Sequence, residues 1–227
     1  MRYEILLLDL DNTILDFSAG EASAYARALT EQGVSPTAEL LTRYHAINCG
    51  WWRKLERGEA DRDTIRVERH RQLFTEMGLA LDPAAFEAAY HRNLGQEYAL
   101  LPGAMEMLDY LRQRGYRLFL ASNGLAETQY ARLAGAGIGA RFEALFISEL
   151  TGFNKPDPAY FAWCFARIPG FDRAKTLMIG DSLSSDIAGG IRAGIDTLWL
   201  NRSGQAAPPE LRPSYEIRSL TEIRQIL

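Results

Sequence analysis

Short runs of consecutive apolar residues, each closed by polar residues or glycine, recur along this chain. Ile5–Leu8, Arg117–Ala121, Ala144–Ile147, Thr176–Ile179 and Thr197–Leu200 are of this kind, and a weaker sixth lies near Tyr215–Ile217. Their apolar character is near-continuous rather than alternating, as expected of strands covered by helices on both sheet faces. Helical patterns separate several of them. Gly103–Arg114 carries apolar Met107, Leu108 and Leu111 and stops at Gly115, and Asp186–Ala193 stops at Gly194. This alternation predicts an α/β fold on a parallel sheet with right-handed crossovers.

One interval breaks the rhythm. From about Ser18 to Tyr98 the pattern is helical throughout, in stretches such as AYARALTEQG, WWRKLERGEADRDTIRVERHRQLFTEMG and PAAFEAAYHRNLGQEY. About eighty residues is far more than a simple crossover needs. The reading is therefore a helical domain, 18–100, inserted into a core made of 1–17 and 101–227. Asp16–Ser18 and Pro102-Gly103 are the expected hinges. GQAAPPELRP (204–213) reads as a Pro-rich surface loop, and the chain shows no internal repeat.

Composition narrows the partners more than the fold. The 227 residues suffice for one core plus a modest insertion, with 47% apolar residues and a net charge of −4. That charge argues against binding a nucleic acid polymer, which rests on Lys and Arg neutralising phosphates. Cys49 and Cys164 are the only cysteines, so no disulfide framework is implied and a reducing compartment fits. The first apolar run is too short for a signal peptide, and no later one could span a bilayer. The expectation is a cytoplasmic, globular protein without a membrane partner.

Candidate chemistry gathers behind the strands. The segment LLLDLDNTILDF places Asp9 and Asp11 directly after the first buried run, although burying a carboxylate is costly unless something pairs with it. Ser122, Asn123 and Gly124 follow the second run, and Lys155 lies in the loop TGFNKPDP past the third. Gly180, Asp181 and then Asp186 follow the fourth. Ligands of open parallel sheets bind beyond the carboxyl ends of the strands, so all these groups converge on one sheet edge. Asp9 and Asp11, two residues apart, share a side of an extended strand end. A calcium loop is rejected because Ile14 stands where an EF-hand requires glycine.

These stretches resemble the phosphatases of the haloacid dehalogenase superfamily. DLDNT matches the first family motif and SNG the second; NKPDP carries the motif lysine and GDSLSSD matches the fourth, all in order over the whole chain. The resemblance implies a Rossmann-like doubly wound parallel-sheet core with an inserted α-helical cap. It implies that Asp9 attacks phosphorus to form an acyl phosphate, and that Asp11 protonates the leaving oxygen and then activates water. Mg²⁺ is the implied cofactor, held by Asp9, the Asp11 carbonyl and Asp181 with Asp186 in support. Ser122 and Lys155, aided by the Asn123 backbone N–H, would clamp the phosphoryl oxygens, while Thr13 orders the motif loop. The Asp11 side chain is expected to point away from the metal. More narrowly, NCGWWRKLERGE, FISELTGFNKPDPAYF and GDSLSSDIAGGIRAGIDTLWLN resemble the noncanonical pyrimidine nucleotidases, 5′-nucleotidases of pyrimidine nucleoside monophosphates. Phe153-Asn154 departs from the small or apolar residues commoner before the lysine and makes that loop polar.

Other readings stay in view. A dehalogenase of the same superfamily lacks the second acid, so Asp11 argues for phosphoryl chemistry. A sugar-phosphate phosphatase or mutase would use the same acids. A phospho-signalling receiver places its acids in a different strand order and lacks a large insert, and a non-catalytic binding protein would have no need of the full set. His45, His70 and His91 have no metal-like spacing and read as fillers, and the run Arg53–Arg71 alternates in sign and reads as a solvated helix face. Adjacent Trp51 and Trp52 point in different directions on one helix, so one could be core and the other could stack on a base or sugar. Asn48, one turn earlier, and Phe17, at the hinge, are further specificity candidates. The expected partner is a small phosphomonoester, a nucleotide in particular, bound by a monomer or weak homodimer.

Overall fold

A computed structural model describes residues 2–227. Six parallel strands form a single sheet: β1 (Ile5–Leu8), β2 (Arg117–Ser122), β3 (Ala144–Ile147), β4 (Thr176–Gly180), β5 (Asp196–Leu200) and β6 (Tyr215–Ile217). Their spatial order is β3-β2-β1-β4-β5-β6. Chain order reverses direction between β1 and β4, which opens a crevice beyond their carboxyl ends, where doubly wound sheets bind ligands. The first four strands lead there into the segments that carry the polar clusters.

The continuous hydrophobicity of the strands has a direct structural cause. In β1 all residues are buried, but successive side chains point to opposite faces. Leu6 and Leu8 pack with Leu118, Leu120, Leu177 and Ile179 under helix α5 (Ala104–Gln113), through Met107, Leu108 and Leu111. Ile5 and Leu7 pack on the other face with Phe119, Ala121, Met178 and the helix Pro158–Phe165, through Tyr160, Phe161 and Cys164. Both layers exclude water, so neither register of the strand can be polar.

Residues between β1 and α5 form four helices: α1 (Phe17–Glu31), α2 (Ala38–Glu56), α3 (Arg62–Met77) and α4 (Pro83–Leu94). Thr37 and Asp61 accept from the backbone N–H groups of Leu40 (3.2 Å) and Thr64 (2.7 Å), capping α2 and α3. Pro83 opens α4 behind its cap Asp82, and Gly78 ends α3 in the left-handed conformation at φ 66°. The chain divides into two compact units, Met1–Asp16 with Ala99–Leu227, and Phe17–Tyr98. The helical unit has its own core around Tyr25, Tyr44, Leu73, Phe86 and Tyr90, with Tyr25 and Tyr44 stacked at 3.5 Å between ring centroids.

That core is also polar. Arg69 and His70 are buried, and Glu87 receives Arg69 at 2.8 Å and His70 Nε2 at 2.5 Å. The run Arg53–Arg71 is thus solvated along much of its length but turns inward at its end. Among the described residues, no helix is long and apolar enough to cross a membrane. Cys49 and Cys164 are both free thiols.

Candidate active site

The segment after β1 continues its pairing for one residue: the Asp9 N–H donates to the Ile179 carbonyl at 2.9 Å. The chain then turns tightly. Ile14 and Leu15 N–H groups both donate to the Leu10 carbonyl at 2.9 Å, and Asn12 takes φ 59°, a left-handed conformation that asparagine tolerates. This turn holds Asp9 in the crevice and Asp11 on its rim. Thr13, fully buried in the turn, reaches Asp181 Oδ1 at 3.5 Å.

Lys155 stands at the centre. Its ammonium, 1% exposed with the rest of the side chain, donates to Asp9 Oδ1 (2.7 Å), Asp186 Oδ1 (2.7 Å) and the Ala121 carbonyl (2.6 Å). Asn123 fixes the lysine's backbone from both sides: Asn123 Nδ2 donates to the Lys155 carbonyl and Lys155 N–H to Asn123 Oδ1, each at 2.9 Å. The Asn123 side chain is therefore a brace for the lysine loop. Asp186 enters from a π-helical turn, Leu183–Ile187, and accepts the Ser182 N–H at 3.1 Å on its second oxygen. The α-helix of this segment begins only at Ala188, two residues later than its sequence pattern suggests, because the wider turn aims Asp186 inward. A Cβ on Gly180 would lie 2.1 Å from Asp186 Oδ2, so the strand must end in glycine for the carboxylate to fit. Asp181 is oriented from β5, where Trp199 Nε1 donates to its carbonyl at 2.8 Å.

Asp9, Asp181 and Asp186 present carboxylate oxygens within 4.8 Å of one another. Burial pushes the Asp9 carboxyl up to about 7; Lys155 opposes the rise, and Asp186 and Asp11 add to it. Burial, Asp9 and Asp186 likewise raise Asp181 well above the ordinary carboxylate range. Burial works against the Lys155 ammonium, yet Asp186 and Asp9 hold its pKa above the usual value. One ammonium does not balance three carboxylates, and the cluster consists of hard oxygen donors. It fits a divalent cation of the Mg²⁺ type.

Asp11 lies outside this cluster. Its Oδ2 accepts from Gln129 Nε2 at 2.7 Å and its Oδ1 from Arg132 NH1, both on helix α6 (Ala126–Gly135). Gln129 Nε2 also donates to Ser122 Oγ at 2.8 Å, and Ser122 Oγ accepts the Gly124 N–H at 3.1 Å. Ser122, Gln129 and Arg132 are all buried. Gln129, Arg132 and Trp199 were not apparent as site residues from the sequence. The signal for the first two is a pair of long polar side chains three apart on the helix that follows SNG.

The remaining sequence candidates lie in the helical unit, where Asn48, Trp51 and Phe17 have local partners. Asn48 is buried, donating to Glu21 Oε1 at 2.5 Å and accepting from Arg69 NH1 at 3.0 Å. Trp51 is half-buried, with Nε1 donating to Gln72 at 3.0 Å and the Lys54 ammonium 3.7 Å from the ring centroid. Trp52 is half-buried, and Phe17 packs at the edge of the helical core.

The sheet order, the helical insertion and the acid–lysine cluster define an α/β enzyme with a cation-receptive centre at the carboxyl edge of its sheet. The chain belongs to the haloacid dehalogenase-like hydrolases, whose family model matches residues 3–194. It is 42% identical to the HAD-hydrolase YfnB of Bacillus subtilis, over 100% of this chain and 96% of that protein. It is 37% identical to the pyrimidine 5′-nucleotidase PynA of Streptococcus pneumoniae, again over 100% of this chain and 96% of the relative. The pyrimidine 5′-nucleotidase YjjG of Escherichia coli is 29% identical, covering 100% and 99%. A crystal structure of YfnB bound to magnesium superposes with a TM-score of 0.95, covering 100% of this chain and 99% of that one.

Proposed function

We propose that this protein is a Mg²⁺-dependent phosphomonoester hydrolase that works through an aspartyl phosphate on Asp9, with pyrimidine nucleoside monophosphates as substrates. The observation that carries the reading is the split between two neighbouring acids. Asp9 is buried against Lys155 inside the acid cluster, whereas Asp11, two residues on, is turned to α6 and outside it. A nucleophile and a separate proton carrier need such a division of environments.

In the proposed reaction an Asp9 oxygen attacks phosphorus. The bond from phosphorus to the leaving oxygen breaks as that oxygen takes a proton from Asp11. Asp11 then removes a proton from water, whose oxygen attacks the same phosphorus and breaks its bond to Asp9. Inorganic phosphate departs, and the Asp9 carboxylate and protonated Asp11 are restored. Lys155 and Ser122 hold phosphoryl oxygens while charge develops on them, as phosphoryl transfer requires. Asp9, Asp181 and the Asp11 carbonyl, with Asp186 in support, would hold Mg²⁺, which supplies the positive charge that admits a phosphate dianion among carboxylates. The pyrimidine nucleotide preference is supported by the names of PynA and YjjG, and Phe17, Asn48, Trp51 and Trp52 are the proposed specificity positions.

The test is phosphate release from an aryl phosphate and from pyrimidine and purine monophosphates, with Mg²⁺ and after chelation. Turnover that needs the metal and favours pyrimidine nucleotides is expected. Metal-independent release, or a stable phosphoprotein without turnover, overturns the reaction; a preference for sugar phosphates overturns the substrate.

A further inference from the structure

We propose that Gln129 and Arg132 are positioning residues that hold the Asp11 carboxyl in its proton-transfer pose and link it to the phosphoryl-binding Ser122. This rests on the hydrolase reading above and assigns a task to a helix face that the motifs leave unexplained. The contacts are specific. Each Asp11 oxygen has its own donor, Gln129 Nε2 at 2.7 Å on Oδ2 and Arg132 NH1 on Oδ1. Arg132 NH1 also donates to Gln129 Oε1 at 3.0 Å, so the two donors fix each other. Gln129 Nε2 in turn reaches Ser122 Oγ at 2.8 Å, which places the proton carrier and the phosphoryl clamp on one amide.

The surroundings are shaped for this arrangement. Both side chains are 1% exposed, so their rotamers are held by packing. A Cβ on Gly124 would lie 2.2 Å from Gln129 Nε2, so the turn after β2 leaves space for the amide to reach forward. Two competing positions exist for a carboxylate on this loop: the cation cluster and the leaving-group side. A carboxylate two residues from Asp9 would be drawn to a divalent ion unless other donors claimed both of its oxygens. Gln129 and Arg132 claim both. A buried arginine could use Asp11 simply as a counter-ion, and the two roles make different kinetic predictions.

Proton donation matters only when the leaving oxygen is a poor leaving group. A nitrophenolate departs without help, whereas an alkoxide such as a nucleoside 5′-oxygen needs the proton. Because kcat/KM reports the steps through departure of the leaving group, the comparison is made there. Arg132→Met should lower kcat/KM for a nucleoside monophosphate by roughly one hundredfold and for p-nitrophenyl phosphate by no more than about threefold, whereas Gln129→Met, which also releases Ser122, should lower both and the nucleoside monophosphate by much the larger factor. Arg132→Lys, which keeps a cation, should recover most of the difference. Equal losses on both substrates, or none on either, overturn the proposal. Should Arg132→Met fail to fold, Gln129→Met and Arg132→Lys decide the matter. A wild-type protein that releases no phosphate from either ester refutes the hydrolase reading instead, so the two failures are distinguishable.

Discussion

Lys155 is the residue on which the cluster's electrostatics turn. Three carboxylates within 4.8 Å of one another would repel strongly in a buried site, and its ammonium touches two of them. Removing one partner from a buried ionic set leaves charge uncompensated, at a cost of about 3–5 kcal/mol. Lys155→Met should therefore destabilise the metal-free protein by about that amount, and Mg²⁺ should restore part of it; denaturant titrations with and without the ion measure both. A variant whose stability ignores Mg²⁺ would show that the acids do not form a cation site. Gly180 tests position rather than charge. In Gly180→Ala the new methyl must displace Asp186, since its place lies 2.1 Å from Oδ2. A displacement of about 1 Å at a catalytic centre costs on the order of a hundredfold in rate, so a sharp fall in turnover is expected, with a lowered melting temperature as Asp186 is pushed off Lys155. Wild-type rates would show that Asp186 tolerates displacement. At this scale the acids, Ser122 and Lys155 stood out as candidates because each lies at or beyond the end of an apolar run, and the fold brings them to one edge of the sheet. Gln129 and Arg132 were not, because polar residues on an amphipathic helix look like a solvated face until the fold shows what they meet.

At the scale of elements, the strands were readable because burial on both sheet faces leaves no polar register, and the observed strands depart from the expected runs at three ends, by one residue each. Strand order was not readable, since apolar runs of equal character do not encode their neighbours. The helical insert hid its interior for a related reason: its buried charges satisfy one another and so carry no hydrophobic signature. His70 shows the consequence. Burial lowers its pKa to about 4, with the Glu87 hydrogen bond opposing and Arg69 reinforcing the drop. The neutral ring fits its contacts, Nε2–H donating to Glu87 at 2.5 Å and Nδ1 accepting the Tyr25 hydroxyl at 3.1 Å. A folded pKa below the unfolded value near 6.5 stabilises the fold above pH 6.5, and that stability is lost as pH falls through about 4. The contribution is at most about 3 kcal/mol. Urea unfolding across pH 6.5 to 4 should show a steeper loss in the wild type than in His70→Gln. Parallel curves would mean that the ring is charged in the native state.

For the whole molecule, the decisive feature is that the helical unit is inserted rather than appended. Its two connections run side by side: the Asp16 N–H donates to the Ala99 carbonyl at 2.9 Å, the Leu101 N–H to the Ile14 carbonyl at 2.8 Å, and Leu15 and Leu100 form an antiparallel bridge. No residue of Phe17–Tyr98 belongs to either cluster that packs on the sheet, and the helical core draws on that unit alone. Two adjacent antiparallel segments can be joined by a turn of about two to four residues, and bringing already paired ends together adds little entropic cost. Replacing 17–98 with a short Gly-rich turn should therefore leave the α/β unit folded, with its melting temperature still raised by Mg²⁺. Slow hydrolysis of p-nitrophenyl phosphate should survive, while the rates for pyrimidine and purine monophosphates should converge if the proposed specificity positions act as assigned. Calorimetry and the two-substrate assay separate these outcomes. A truncated chain that aggregates, or that melts at the same temperature with and without Mg²⁺, would mean that the acid cluster depends on the helical unit for its geometry. Retained pyrimidine preference in a folded truncation would instead move substrate recognition onto the loops that follow the strands.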